Sequence, residues 1–273
     1  MKKFITILLI LVSIFAILLG YCYIEPYWIE NKTFIVSHKD IPKDFNNTKI
    51  LFISDIHYGP FFKKHRLKNL VKRMNRMHPT IILLGGDYVH RSPDYIRPCF
   101  EELEHLKAPL GVLGVLGNHD HWENGPLTRQ SMRKSGIELL DNHAVWIRTR
   151  NARIKIGGVG DYLKDRQDIN PTIQDVKNED FVILVTHNPD YVPEIRTTKI
   201  DLVFSGHTHG GQVTLFGLWA PLIPSKYGQK YRTGFITTQN MNVIVSNGIG
   251  TITPPVRFFA RPQIIRVILK SKP

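Results

Sequence analysis

The stretch FSGHTHGG, residues 204 to 211, sets two imidazoles one residue apart between glycines, directly after the apolar run Leu202-Val203-Phe204. Rings placed so closely do nothing for a core, but residues at i and i+2 of an extended segment point to the same side. Four other stretches share this build. Asp55-Ile56-His57 follows Ile53-Ser54, Gly85-Gly86-Asp87 follows Leu83-Leu84, Gly117-Asn118-His119-Asp120 follows Val115-Leu116, and His187 follows Leu184-Val185-Thr186. Taken singly, Asp55, Asp87, Asn118 or His187 would be an ordinary turn or cap residue. As a set, they join oxygen and imidazole donors suited to Mn, Fe or Zn, without selecting among them. Two such ions roughly 3.5–4 Å apart acidify bound water and stabilise both the attacking and the leaving oxygen of a displacement. Less two carboxylates and a bridging hydroxide, a pair of divalent ions leaves about one positive charge, enough to hold a phosphate ester. His119 cannot easily share an ion with its neighbour Asn118, so its ring is free for proton transfer.

These stretches need elements that carry them to one place. Short apolar strands are predicted at 49–54, 81–84, 111–116, 145–149, 154–157, 181–186, 202–205, 213–216, 243–246 and 264–269. Between them, Leu67, Leu70, Val71, Met74 and Met77 fall at helical spacing before Pro79, and further helices are expected around 95–106 and 126–134. The first half reads as βαβ and the last third as mostly β. The fold class is therefore α/β: a four-layer α/β/β/α sandwich of two mixed sheets with flanking helices. Ligands of open α/β sheets bind beyond the carboxyl ends of the strands, which is where each Asp, Asn and His cluster stands. His38, His65, His78, His105 and His143 fall outside these motifs and read as surface or packing residues, whereas His121 reads as a candidate for the site rim.

The chain of 273 residues is long enough for one large domain, and its net charge of +13 favours anionic partners. Its two cysteines, Cys22 and Cys99, support neither a disulfide framework nor a thiolate metal site. After Lys2 and Lys3, residues 4–24 carry no charge. As a helix they would rise about 31 Å, the thickness of a bilayer's hydrocarbon core. Tyr21, Tyr23, Tyr27 and Trp28 supply an interfacial aromatic belt, and no small-x-small cleavage site follows. The expected organisation is an N-terminal membrane anchor at 1–24, a tether at 25–47 and a catalytic domain at 48–273. Lys2 and Lys3 before the span, against Glu25 and Glu30 after it, predict a single-pass protein of the cell membrane with the domain extracytoplasmic. The basic segment 63–77 is expected on anionic headgroups. An aromatic-interleaved groove for stacked bases is missing, so nucleic acid is not the expected partner.

In the order D-x-H, G-D, G-N-H, a lone H and G-H-x-H, residues 55 to 209 resemble the calcineurin-like metallophosphoesterases, and the resemblance extends over roughly 48 to 270. It implies Asp55, His57, Asp87 and His209 on one divalent ion, and Asp87, Asn118, His187 and His207 on the other, with Asp87 bridging. Metal-bound hydroxide would be the nucleophile, and His119 would contact the phosphoryl group and protonate the leaving oxygen. His90 stands where phosphatases of the family often carry an Asp that orients this histidine. The stretches PLIPSKYGQKYRTGF (221–235) and VSNGIGTITPPVRFFARPQI (245–264) resemble the membrane-associated bacterial branch, which includes cell-envelope phosphodiesterases and UDP-2,3-diacylglucosamine pyrophosphatases. Asn247 and Gln263 depart from that branch, where a basic residue and a Glu are common. The implied substrate is a lipid-linked or cell-envelope phosphodiester or pyrophosphate, gripped by Lys226, Lys230, Arg232 and Arg257, with Phe258 and Phe259 facing lipid. A nuclease, or a catalytically silent membrane-tethered binding module, is the alternative.

Overall fold

The computed structural model describes residues 1–272. Helix α1 (Lys2–Ile24) buries none of its side chains, and its apolar length is sufficient to cross a membrane. Two six-stranded mixed sheets follow. The first contains β1 (Glu30–His38), β2 (Lys49–Ile53), β3 (Ile81–Leu84), β4 (Val112–Gly114), β5 (Glu138–Leu139) and β12 (Gln263–Ser271), in the order β1-β12-β2-β3-β4-β5. The second contains β6 (His143–Arg148), β7 (Arg153–Gly158), β8 (Val182–Val185), β9 (Leu202–Ser205), β10 (Gly234–Thr237) and β11 (Asn242–Val245), in the order β10-β11-β9-β8-β7-β6. Strands β2 to β5 run parallel, as do β7, β8, β9 and β11.

Alternation along each strand decides the layers. On β2, Ile50 and Phe52 face the second sheet, where Phe52 meets Phe204 of β9 at 5.1 Å between ring centres. Leu51 and Ile53 face the other way, into a core closed by α2 (Lys64–Arg76), α3 (Ile96–Leu103) and α4 (Asn118–Lys134). Leu67, Leu70, Val71 and Met74 form the buried stripe of α2. The outer face of the second sheet is covered more thinly, by α5 (Asn170–Ile173) and by Tyr191, Val192 and Ile195. These are two mixed sheets with flanking helices, the α/β class expected from the sequence.

Three local expectations are corrected. Residues 25–47 are not only a tether: Glu30–His38 is an edge strand paired in parallel with β12 along its whole length. Segment 213–216 does not form a ladder strand; Leu215 and Trp219 bridge across a tight turn instead, with Phe216 and Gly217 in the left-handed region. Helix α4 begins at Asn118 rather than near Pro126, because the Asp120 carboxylate accepts from the Gly117 amide at 2.9 Å and caps the first turn there, and Asn124 interrupts the helix before Pro126.

Helix α1 is clamped to the domain. Glu25, fully buried, accepts hydrogen bonds from the Phe259 and Ala260 amides at 2.6 and 2.7 Å, and the Cys22 carbonyl accepts from Arg257 N at 3.0 Å. On the other side, Arg66 of α2 donates to the Pro26 carbonyl at 2.6 Å and lies over the Tyr27 ring.

Candidate metal centre

The parallel strands of both sheets end on one edge, and the chain turns sharply after each. Asp55, His57, Asp87, His207 and His209 all have φ between 48° and 69°. A left-handed residue with a side chain costs on the order of 1–2 kcal/mol, and several together mark a functional site. The turns fold back tightly enough that only glycine fits beside them. A Cβ on Gly206 would stand 2.5 Å from Asp55 Oδ2, and one on Gly117 would overlap Asp87 Oδ1.

Six of the residues marked out in the sequence meet in two buried triads, Asp55/His57/His209 and Asp87/His187/His207, each with its ligand atoms within 4.8 Å of one another. Asp87 stands between them: its Oδ2 is 3.7 Å from His57 Nε2 and 3.3 Å from His187 Nε2. The two carboxylates also hold the neighbouring backbone, since Asp87 Oδ1 accepts from His119 N at 2.8 Å and both Asp55 oxygens accept from His207 N at 3.1 Å. Asn118 is buried, and its Oδ1 has no hydrogen-bond partner.

The donors fit divalent cations. His187 Nδ1 lies 2.7 Å from the Gly85 carbonyl, which can only accept, so Nδ1 carries a proton and Nε2 is the nitrogen turned toward the centre. His187 Nε2 faces His207 Nδ1 at 3.2 Å and the Asp87 carboxylate at 3.3 Å, while His57 Nε2 and His209 Nε2 face each other at 3.0 Å. Burial holds His57 well below the usual imidazole range, and burial together with His57 and Arg257 does the same to His209. Burial, aided by His187, takes His207 down to about 3. Asp55 is pushed up to about 6, by burial first and by Asp87 after the opposing pull of His187. In Asp87 and His187 burial is outweighed by their mutual attraction, which leaves the carboxylate low and the imidazole high. His57, His207 and His209 are thus neutral beside the ionised Asp87, and a cation bound there would take the place of the His187 proton as the partner of that carboxylate.

His119 is half-buried outside the triads, its ring 4.7 Å from that of His57 and 4.4 Å from that of Trp122. His90, at the position of the family's Asp, brings Nδ1 to 3.4 Å from His119 Nδ1. Burial, then His119, lowers His90 to about 4.

Asp120 was not singled out by the sequence reading, yet it ties two site loops together. Its Oδ2 accepts from Gly117 N and Asp87 N at 2.9 and 2.8 Å, and its Oδ1 from Tyr88 N at 2.8 Å. The signal was an acidic residue three positions after an N-cap glycine.

Of the four basic residues, Arg257 and Arg232 stand differently from expectation, while Lys226 and Lys230 are exposed. Arg257 is fully buried; it donates to the Gly250, Asn247, Ala260 and His209 carbonyls, so it braces the loop under His209 instead of facing substrate. A buried guanidinium needs acceptors for its fixed fork of donors, and this loop supplies them. Arg232 donates to the Gly210, Gly217 and Leu218 carbonyls. Lys226 reaches the Tyr162 hydroxyl at 3.1 Å, and Lys230 lies over the Tyr231 ring. His121 points toward Asp165, with Nε2 3.9 Å from its carboxylate. The two departures face each other, Asn247 N donating to Gln263 Oε1 at 3.4 Å. Beside His209 opens an apolar cavity of about 400 Å³, lined by Val213, Leu222, Ile223, Ile252 and Pro254 among others.

Comparison with known proteins agrees with this geometry. The family model described as calcineurin-like phosphoesterase matches residues 48–211. The chain is 30% identical over 257 residues to the metallophosphoesterase YkuE of Bacillus subtilis, covering 92% of this chain and 90% of that one. It is 29% identical to the phosphodiesterase YaeI of Escherichia coli, covering 89% and 88%. A transmembrane protein with metallophosphoesterase domain from Danio rerio is 27% identical over 85% of this chain, which spans 55% of that relative's length. The fold alone is shared with the NAD nucleotidase NadN of Haemophilus influenzae, at 14% identity and a TM-score of 0.52 over 74% of this chain and 45% of that one. With its metal-suited triads at the strand ends and relatives matched over nearly its whole length, the chain belongs to the calcineurin-like phosphoesterase family of metal-dependent hydrolases.

Proposed function

We propose that the protein is a membrane-anchored phosphohydrolase with a two-metal centre, acting on a lipid-linked or cell-envelope phosphodiester or pyrophosphate. The observation that carries the reading is the pair of buried triads with Asp87 between them. Asp55, His57, Asp87 and His209 would hold one ion, and Asp87, Asn118, His187 and His207 the other. Bound there, two divalent ions supply positive charge for the phosphoryl group and acidify a water enough to act as nucleophile at neutral pH.

The side chains position and protonate. Asp120 locks the loops of Asp87 and Gly117 together, so the two halves of the site share one frame. His119, held by its amide on Asp87 Oδ1, presents its ring at the open side and gives its proton to the departing oxygen. Burial lowers its pKa, and an anionic phosphoryl group brought against the ring raises it again, so the proton is retained when substrate is bound. The apolar cavity beside His209 and the anchor helix clamped to the same loop support a substrate with an acyl portion. Single-pass insertion at 1–24, with a catalytic domain at 48–273 outside the cytoplasm, belongs to the same proposal.

The test is metal content and diester hydrolysis of full-length Asp87→Asn. Removing the shared carboxylate should lower occupancy at both positions and abolish turnover of a soluble aryl phosphodiester. One ion retained at full occupancy per chain would argue against the shared ligand and the two-metal reading.

A further inference from the structure

Outside α1, apolar exposure concentrates in one turn. Leu215, Phe216, Leu218, Trp219 and Leu222 are 57, 63, 81, 51 and 81% exposed within eight residues. A soluble surface rarely gathers large apolar side chains in this way. The turn is joined to the anchor through rings: Phe216 stands 5.2 Å from Phe259, which lies 5.3 Å from Tyr21 of α1. Tyr21 also packs on Trp28, whose ring meets the Arg261 guanidinium at 5.5 Å. The Glu25 clamp on Phe259 and Ala260 fixes this arrangement, so the turn sits beside the end of α1.

The turn's backbone is prepared for a place poor in water. Leu215 N donates to the Trp219 carbonyl at 2.7 Å, Leu218 N to the Leu215 carbonyl at 3.0 Å, and Gly217 N to Thr214 Oγ1 at 2.8 Å. Arg232 donates to the Gly217 and Leu218 carbonyls at 2.8 and 3.4 Å. Backbone groups entering lipid must be satisfied within the protein. Tyr and Trp beside Arg at one level are the composition of a membrane–water interface.

We propose that the turn Val213–Leu222 inserts into the leaflet at the C-terminal end of α1, as a second, non-helical contact with the same bilayer. The occupant of this apolar face is lipid: the face is continuous, ring by ring, with the helix long enough to span the membrane. The proposal rests on α1 lying in a bilayer and not on the chemistry of the metal centre. With two contacts the domain cannot swing on a tether, and the cavity under the turn opens from the leaflet toward His209.

The test uses the full-length chain with Cys22→Ser, reconstituted in phospholipid vesicles, with a nitroxide on Leu218→Cys. Reference labels go on Phe15→Cys in α1 and on Leu163→Cys, which is exposed on the domain. Accessibility to oxygen and to a water-soluble nickel chelate is read by power saturation. The expected result is that the label at 218 resembles the one at 15, favouring oxygen over the chelate by about tenfold more than the label at 163. A label at 218 as open to the chelate as that at 163 overturns the proposal. Shielding from both reagents, or spin–spin broadening between copies, overturns it in favour of a protein partner or a second copy. An aqueous reading at 15 also overturns it, because no leaflet would then stand beside the turn. All labelled positions are exposed, so folding is retained, and diester hydrolysis of each labelled protein in detergent verifies it.

Discussion

His119 and Asn118 are adjacent in the chain, yet only one of them lies within the buried centre. Asn118 is buried with its carbonyl oxygen unpartnered, whereas the His119 ring lies against His57, His90 and Trp122 at the half-open side. His119→Ala should therefore keep both metals and lose about 10²–10⁴-fold in turnover, the range for a general acid. Metal analysis beside kcat checks this, and metal loss in the variant would reassign His119 as a ligand. The loss should shrink for substrates with a nitrophenol leaving group, which needs less protonation. The residue types of the site were legible because Asp, Asn and His at five strand ends have no role in a core. The direction of the cations was not. Arg257 and Arg232 lie in a basic, aromatic stretch that reads as a substrate grip, but their donors are taken up by buried carbonyls. Sequence shows that an Arg is present, not whether nearby backbone lacks partners.

At the scale of elements, the packing of α4 on the sheets turns on Asp141, just after β5. Its Oδ1 accepts from Leu116 N at 2.9 Å, and its Oδ2 lies 3.4 Å from Arg129 of α4, without a hydrogen bond. Burial pushes its pKa up to about 6, against the opposing pulls of Leu116 N and Arg129. An unfolded Asp titrates near 3.9, so between about pH 4 and 6 the native state binds the extra proton. The favourable contribution of the protonated form is complete below about pH 4 and lost as pH rises through about 6. Asp141→Asn removes that loss. At pH 7 the variant should be more stable than the parent by on the order of 2 kcal/mol, and the difference should vanish near pH 4. Chemical denaturation in mild detergent at both pH values measures it; equal differences at the two would refute the assignment. Arg129 keeps Asp165 at 2.6 Å in the variant, so no cation is stranded. Parallel strands announced themselves as unbroken apolar runs, Ile81–Leu84 above all, because both faces are buried. Strand β1 did not: its pattern is exposed along most of its length, and only pairing with β12, over two hundred residues later, makes it a strand.

For the whole molecule, a helix long and apolar enough to cross a membrane was legible in residues 4–24, but its rigid junction with the domain was not, since Glu25 and Phe259 meet across 234 residues of sequence. That junction changes the charge argument for orientation. Glu25 is not a free flanking charge at the interface; it is a buried cap on two amides. Acidic residues contribute little to topology in any case, so the bias rests on Lys2 and Lys3 before the span. It predicts the N-terminus inside and the catalytic domain outside. Trypsin added to intact bacterial spheroplasts expressing the full chain should cut the domain at its exposed basic residues, such as Lys68 and Arg97, without lysis. Protection in intact cells with cleavage after lysis would place the domain in the cytoplasm and refute the orientation. Compartment then selects substrate by access. An external site meets envelope phosphodiesters, while an internal one meets nucleotide-linked lipids, and in either case the clamp at Glu25 ties α1 to the loop that carries Phe259 and Ala260.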